Sequence, residues 1–299
     1  MTGEGTVGWG EVVRTTAVRL SRGGVTNANQ EARWLAEEVS GIASGALDSE
    51  TDTPATAAAV ARLDTLVERR CGGEPLQYVL GHWPFRTLDL MVDRRVLIPR
   101  PETEAVVERA LSELDTLSAA HPGRSLVVVD LGTGSGAMAL SIATERPAVT
   151  VIATDVSADA LAVAAANLAG LGMAGHGVTL AHGSWFDALA ETQAVPGELD
   201  LVVANPPYVA VGDALPPEVV DFEPSGALVA GAAGTEDLVA IIDGARHWLA
   251  DGGVLVAECA PTQAAELVEH ALVAGYSHAE MGKDLTGRDR MVVARWGGS

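Results

Sequence analysis

The stretch Leu199-Asp200-Leu201-Val202-Val203-Ala204-Asn205-Pro206-Pro207-Tyr208 constrains this chain more than any other. Its first six residues form the short apolar run of a buried parallel strand. Two consecutive prolines then remove backbone donors and force an extended turn, so the strand must stop there. A turn at the carboxyl end of a strand lies where open α/β sheets bind ligands. This one offers the Asn205 amide oxygen, the Pro206 carbonyl and the face of Tyr208. Those groups suit a planar NH2: two acceptors for its hydrogens, a ring for its flat side, and its lone pair left facing an electrophile. A simple Pro-Pro stop beside a surface tyrosine fits the same four letters, so the rest of the chain must decide.

The rest alternates between strand and helix. Apolar strand-like runs occupy residues 125–130, 149–154, 178–181, 199–204 and 253–258, and a closing pair occupies 276–281 and 290–296. Helical patterns fill 102–117, 137–144, 158–171, 235–249 and 261–274 between them. Such alternation predicts a doubly wound α/β sheet. After the first strand comes Gly132-Thr133-Gly134-Ser135-Gly136, a glycine turn that lets the backbone approach a ligand closely. Gly132-x-Gly134-x-x-Ala137 also satisfies the dinucleotide pattern, so the turn alone leaves NAD open. No Gly-Lys-Ser/Thr follows, which excludes a Walker A loop. Asp155 ends the second strand, where an acid takes ribose hydroxyls or caps the next helix; the two roles are compatible. Trp185, just past the third strand, fits an adenine wall and a core aromatic equally well. The long loop over 209–233 is placed to close over the Asn-Pro-Pro-Tyr turn.

Residues 1–75 read as a small helical domain, with helices over 9–20, 27–43 and 54–70 and no residues suited to chemistry. Residues 76–98 alternate and read as a β-hairpin linker. Residues 99–299 form the large domain. Its entry, Pro99-Arg100-Pro101-Glu102-Thr103-Glu104, suits a helix N-terminus; it also suits a lid that sets Glu102 and Thr103 near a positively charged ligand.

Composition excludes several classes. The 48% hydrophobic content supports a sizeable core, and the sequence shows no membrane-spanning run, so no membrane association is expected. Without a basic-then-apolar N-terminal pattern, the expected location is cytoplasmic. Cys71 and Cys259 stand apart and the seven histidines lack ligand spacing, so no metal is expected. A net charge of −21 with a single lysine argues against direct nucleic-acid binding. A monomer is the expected state.

Seven stretches resemble the PrmC/HemK family of protein-glutamine methyltransferases: Gly73 to Gly81, Leu97 to Glu104 (LIPRPETE), Asp130 to Gly136 (DLGTGSG), Gly183 to Phe186, Asn205 to Tyr208, Phe222-Glu223-Pro224, and Gly287 to Arg290. The resemblance implies a seven-stranded S-adenosylmethionine-dependent methyltransferase sheet. It implies methyl transfer to the side-chain amide of the glutamine in the GGQ motif of peptide chain release factors. By the same resemblance, S-adenosylmethionine lies against Gly132, Thr133, Gly134, Ser135 and Gly136, with its ribose at Asp155 and its adenine beside Trp185. Asn205 lies near the cofactor as well, and the lid reading sets Glu102 and Thr103 beside the same charged ligand. Asn205, Pro206, Pro207 and Tyr208 hold the glutamine, and Asn205, Pro206 and Tyr208 carry the catalysis. Release factors are then the protein partner, docked by the helical domain and hairpin. Other planar NH2 groups remain as alternatives: a glutamine of a ribosomal protein, or adenine N6 of DNA. A cofactor-binding regulator without activity is disfavoured, because the turn that would hold the NH2 is intact.

Overall fold

The computed structural model describes residues 7–43 and 45–297. They divide into two compact units, one running from residue 7 to 82 with 216–222, the other of 83–215 with 223–297.

The first unit is helical: α1 (Trp9–Arg22), α2 (Ala28–Ser40), α3 (Ala57–Cys71) and α4 (Leu76–Leu80), joined by α8 (Pro217–Phe222) from later in the chain. Leu20, Ala32, Leu35, Ala36, Leu63 and Val67 bury the facing stripes of α1 to α3. Arg70 ties α3 to α2 through Glu31 at 2.6 Å, and Arg69 grips Glu74 and the carbonyls of Tyr78 and Val79. Residues 76–80 were expected in the hairpin, yet they make one helical turn. Pro75 precedes the turn and Gly81, at φ 84°, ends it in the left-handed conformation that favours glycine. The strands of the hairpin are β1 (His82–Phe85) and β2 (Leu88–Met91).

The second unit is built on a seven-stranded sheet. Its strands are β3 (Val127–Leu131), β4 (Thr150–Asp155), β5 (Val178–His182), β6 (Leu199–Ala204), β7 (Leu249–Glu258), β8 (His278–Lys283) and β9 (Asp289–Arg295). The order is β5-β4-β3-β6-β7-β9-β8, parallel through β7 and antiparallel for the last two strands. Successive side chains point to opposite faces. Val128, Val151, Leu201, Val203, Val254 and Val256 therefore pack under α5 (Pro101–Ala120) and α6 (Ala137–Glu145). Val129, Ile152, Val202, Leu255 and Ala257 pack under α9 (Glu236–Trp248) and α10 (Ala264–Val273). Because both faces are covered, the strands read as continuous apolar runs rather than alternating ones.

Residues 158–175 are long and apolar enough to cross a membrane by length and composition, contrary to the reading that no such run exists. In the fold they begin as α7 (Ala158–Leu171), whose Val163 and Ala164 are fully buried. Asn167 on α7 bonds both backbone groups of Met91, which fixes β2 to this helix.

Chain order and strand order part company between β3 and β6. From β3 the chain winds outward through β4 and β5, then returns to β6 on the other side. Ligands bind at such a switch point. The register places four strand ends level there: Leu131 pairs with Thr154 and with Ala204, and Ala204 pairs with Ala257. The next residue along each strand is Gly132, Asp155, Asn205 or Glu258.

Candidate active site

A cavity of about 450 Å³ opens over that row. Of the residues expected near a ligand, Thr103, Gly132, Thr133, Gly134, Ser135, Asp155, Trp185, Asn205, Pro206 and Pro207 line it. Gly136, Glu102 and Tyr208 are not among the lining residues. Gly136, at φ 86°, instead starts α6. Glu102 pairs with Arg288 at 3.0 Å, on the turn between β8 and β9. Tyr208 turns its hydroxyl toward Glu258.

The glycine turn is held from beneath by Asp130. This fully buried carboxylate accepts from Thr133 Oγ1 at 2.6 Å and from Ala139 N at 3.1 Å through the same oxygen, Oδ2. Its Oδ1 has no partner. Burial pushes the Asp130 carboxyl up to about 7, against the two hydrogen bonds that favour the charged form. Gly134, at φ 57°, has open space where a side chain would sit, so the turn presents bare backbone to the cavity. Asp155 is anchored by two backbone donors, Gly134 N on Oδ2 and Ser157 N on Oδ1.

Trp185 adopts φ 41°, a conformation rare for a bulky residue and maintained only where surroundings impose it. A Cβ on Gly132 would come within 3.3 Å of its ring. Asp237 of α9 also lines the cavity, and burial raises its carboxyl. The indole therefore stands as a wall of the cavity, half-buried, and not in the core proper.

The Asn-Pro-Pro-Tyr turn is fixed at both ends. Asn205 Nδ2 donates to Thr103 Oγ1 at 3.2 Å, and Thr103 Oγ1 donates to Glu258 Oε2 at 2.7 Å. The Tyr208 hydroxyl donates to Glu258 Oε1 at 3.1 Å. Burial raises the Glu258 carboxyl, while Thr103, Tyr208 and the nearby Arg290 pull it back. Burial raises the Tyr208 hydroxyl as well, so it stays protonated as a donor. The Tyr208 carbonyl accepts from Gln263 Nε2 at 3.0 Å. After the turn, Val209 N donates to the Leu228 carbonyl and the Val209 carbonyl accepts from Ala230 N, both on the returning loop. Glu223 in that loop is buried and accepts from Ile98 N at 3.2 Å and Arg100 Nη2 at 2.5 Å. Pro224 and Ala227, just beyond it, line the cavity, as do Val96 and Leu97.

Three of these groups were given no role by the sequence reading. Asp130 and Glu258 are charged residues at the ends of apolar strands, a signal visible in the text but not weighted. Glu223 stands in the quoted Phe222-Glu223-Pro224 stretch, but only its distant partners, Ile98 and Arg100, show what it does. Among the described residues there is no group of three or more side chains able to hold a metal.

A glycine turn whose bare backbone faces the cavity, an anchored acid one strand away and an indole wall fit a nucleoside-bearing cofactor. The fold and site define an S-adenosylmethionine-dependent methyltransferase. The hMettl16 catalytic domain solved with an RNA hairpin shares the fold: TM-score 0.53 at 15% identity, over 81% of this chain and 82% of that one. Two family models match, the PrmC N-terminal domain over residues 11–81 and the methyltransferase small domain over 111–220. The release factor glutamine methyltransferase of Xylella fastidiosa is 42% identical over 82% of this chain and 84% of its own length. That of Cereibacter sphaeroides is 36% identical over 95% and 97%. The chain belongs to the release factor glutamine methyltransferase family.

Proposed function

We propose that this enzyme methylates the side-chain amide nitrogen of the glutamine in the GGQ motif of peptide chain release factors. The observation that carries the reading is the fixed Asn205 amide. Its nitrogen is committed to Thr103, so its oxygen is the acceptor available to an incoming NH2, next to Pro206 in the same cavity as the glycine turn. The relatives are release factor glutamine methyltransferases, which supports a glutamine of a release factor as the substrate.

When bound, S-adenosylmethionine supplies an electrophilic methyl group on a positively charged sulfur. Thr133, Gly134, Ser135, Asp155 and Trp185 are the residues we assign to hold it. An amide nitrogen is a weak nucleophile because its lone pair is delocalised. Asn205 Oδ1 and the Pro206 carbonyl would accept its two hydrogens and turn the lone pair toward the methyl group. The prolines stiffen the backbone that carries both acceptors. Orientation of this kind is worth about 7–11 kcal/mol in favourable cases. The lining residues include no histidine or lysine. None is required as a base, since the nitrogen becomes acidic on methylation and gives up its proton readily.

The helical unit and hairpin are assigned to dock the release factor, and the enzyme is read as a cytoplasmic monomer. The test is transfer of labelled methyl to a recombinant release factor, to its Gln→Ala variant, and to duplex DNA. Label on the wild-type factor alone is expected, abolished by Asn205→Ala in the enzyme. Label on DNA alone would replace glutamine with adenine, and label on both factors would move the target residue.

A further inference from the structure

Glu258 does not line the cavity, yet two hydrogen bonds in series, through Thr103, lead from it to Asn205, which does. We infer that Glu258, acting through Thr103, sets which end of the Asn205 amide faces the substrate. This rests on the proposed role of Asn205 as acceptor.

The argument is one of proton counting. A carboxylate only accepts, and a threonine hydroxyl has a single proton. Thr103 Oγ1 gives that proton to Glu258 Oε2 at 2.7 Å. Toward Asn205, 3.2 Å away, the hydroxyl can then only accept. The amide must present Nδ2 to Thr103, which turns Oδ1 the other way. Without the Glu258 carboxylate, the Thr103 proton would be free to bond Asn205 Oδ1. The amide would then offer its own NH2 to the substrate NH2, donor against donor. The ends of an asparagine amide are nearly isosteric, so packing cannot make this choice and the hydrogen-bond network must.

The placement supports the role. Glu258 is wholly buried and Thr103 nearly so, which protects both bonds from competition by water. The other carboxylate oxygen accepts from Tyr208 at 3.1 Å, so one group steadies the first and last residues of the turn. Arg290, whose Nε is buried and pairs with Asp284 at 3.8 Å, lies close enough to favour the charged form of Glu258. Glu258 and Thr103 are thus positioning residues.

The test uses four variants: Glu258→Met, Thr103→Val, Thr103→Ser, and the Glu258→Met/Thr103→Val pair. Methionine approximates the volume of glutamate, and valine that of threonine. Glu258→Met should lower kcat by about 10-fold to 100-fold, as loss of an outer partner does in other sites. Affinity for S-adenosylmethionine should stay within about twofold of the parent, a bound set by unchanged cofactor contacts. The double variant should be more active than Glu258→Met alone, because it also removes the hydroxyl that would capture Oδ1. Thr103→Ser should retain activity where Thr103→Val loses it.

A residue needed only for packing would give a double variant at least as impaired as the single, and that result would overturn the inference. So would wild-type kcat in Glu258→Met. If Glu258→Met does not fold, the contrast between valine and serine at position 103 decides. A readout independent of substrate is the 15N NMR signal of the Asn205 side-chain NH2. In the parent it should be protected from exchange by Thr103, and Glu258→Met should remove that protection. Unchanged protection overturns the inference whatever the substrate. Lost protection, in an enzyme that leaves release factors unmethylated, upholds the inference and removes only the substrate reading.

Discussion

The backbone N–H of Gly134 donates to the Asp155 carboxylate at 2.9 Å, so the glycine turn and the acid of the next strand are one rigid unit. Ser157 N holds the other oxygen at 2.8 Å. Each oxygen keeps a lone pair for a further donor. A carboxylate aimed in advance by two backbone donors need not be reordered to take a ligand's hydroxyls, the role proposed for Asp155.

Asp155→Ala should therefore weaken S-adenosylmethionine binding by about 10-fold to 100-fold, the loss of one or two charged hydrogen bonds. Titration calorimetry reads the change directly. An unaltered Kd would remove Asp155 from the cofactor site.

Gly134→Ala and Gly123→Ala form a matched pair. Both glycines have positive φ, 57° and 83°, and at both a Cβ would meet no atom within 4 Å. Each substitution should cost about 1 kcal/mol of stability through backbone strain. Only Gly134→Ala places its methyl group in the cavity, so only it should also weaken cofactor binding. Melting curves and Kd values for the two variants separate strain from obstruction.

Asp130 makes stability depend on pH. Its folded-state value near 7 lies above the usual 3.8, so between those values the folded protein keeps a proton that the unfolded chain has lost. Stability contributed by this residue is then full below about pH 4, declines as pH rises, and levels off above about pH 7. In Asp130→Asn the amide oxygen can still accept from Thr133 and Ala139, and no charge is buried. Denaturant unfolding should show the variant gaining on the parent as pH rises through that window. Parallel pH profiles would contradict the assignment.

Glu223→Ala should strip partners from Ile98 N and from Arg100 together. Leaving a buried donor and a cation unpaired should cost about 2–4 kcal/mol. Because Pro224 and Ala227 border the cavity, cofactor release should also quicken. Glu223→Gln, which can still accept from Ile98, should lose less. Equal stability for all three proteins would show that the contact contributes nothing.

Much of this was legible in the chain because short apolar runs with stops at fixed chemistry can be read locally. Leu201 to Ala204 reads as buried strand, and the two prolines end it. Leu76 to Leu80 does not read correctly, since five residues are too few to show a helical period and only Pro75 and Gly81 bracket the turn. Glu102 suited a site by its place in the motif, but its nearest cation is Arg288, 186 residues away. Trp185 left two roles equal because residue type says nothing about φ. The link from Thr103 to Glu258 spans 155 residues, and no local pattern contains it.

That span has a consequence for how the enzyme comes into being. A chain leaving the ribosome exposes Asn205, Pro206 and Pro207 well before it delivers β7. Until Glu258 arrives, the turn has neither of its anchors on that carboxylate. Contacts this distant in sequence form late, since a long loop must close before they are rewarded. A nascent enzyme can therefore complete its glycine turn before its Asn-Pro-Pro-Tyr turn is set. In this fold the competent site and the finished protein arrive together.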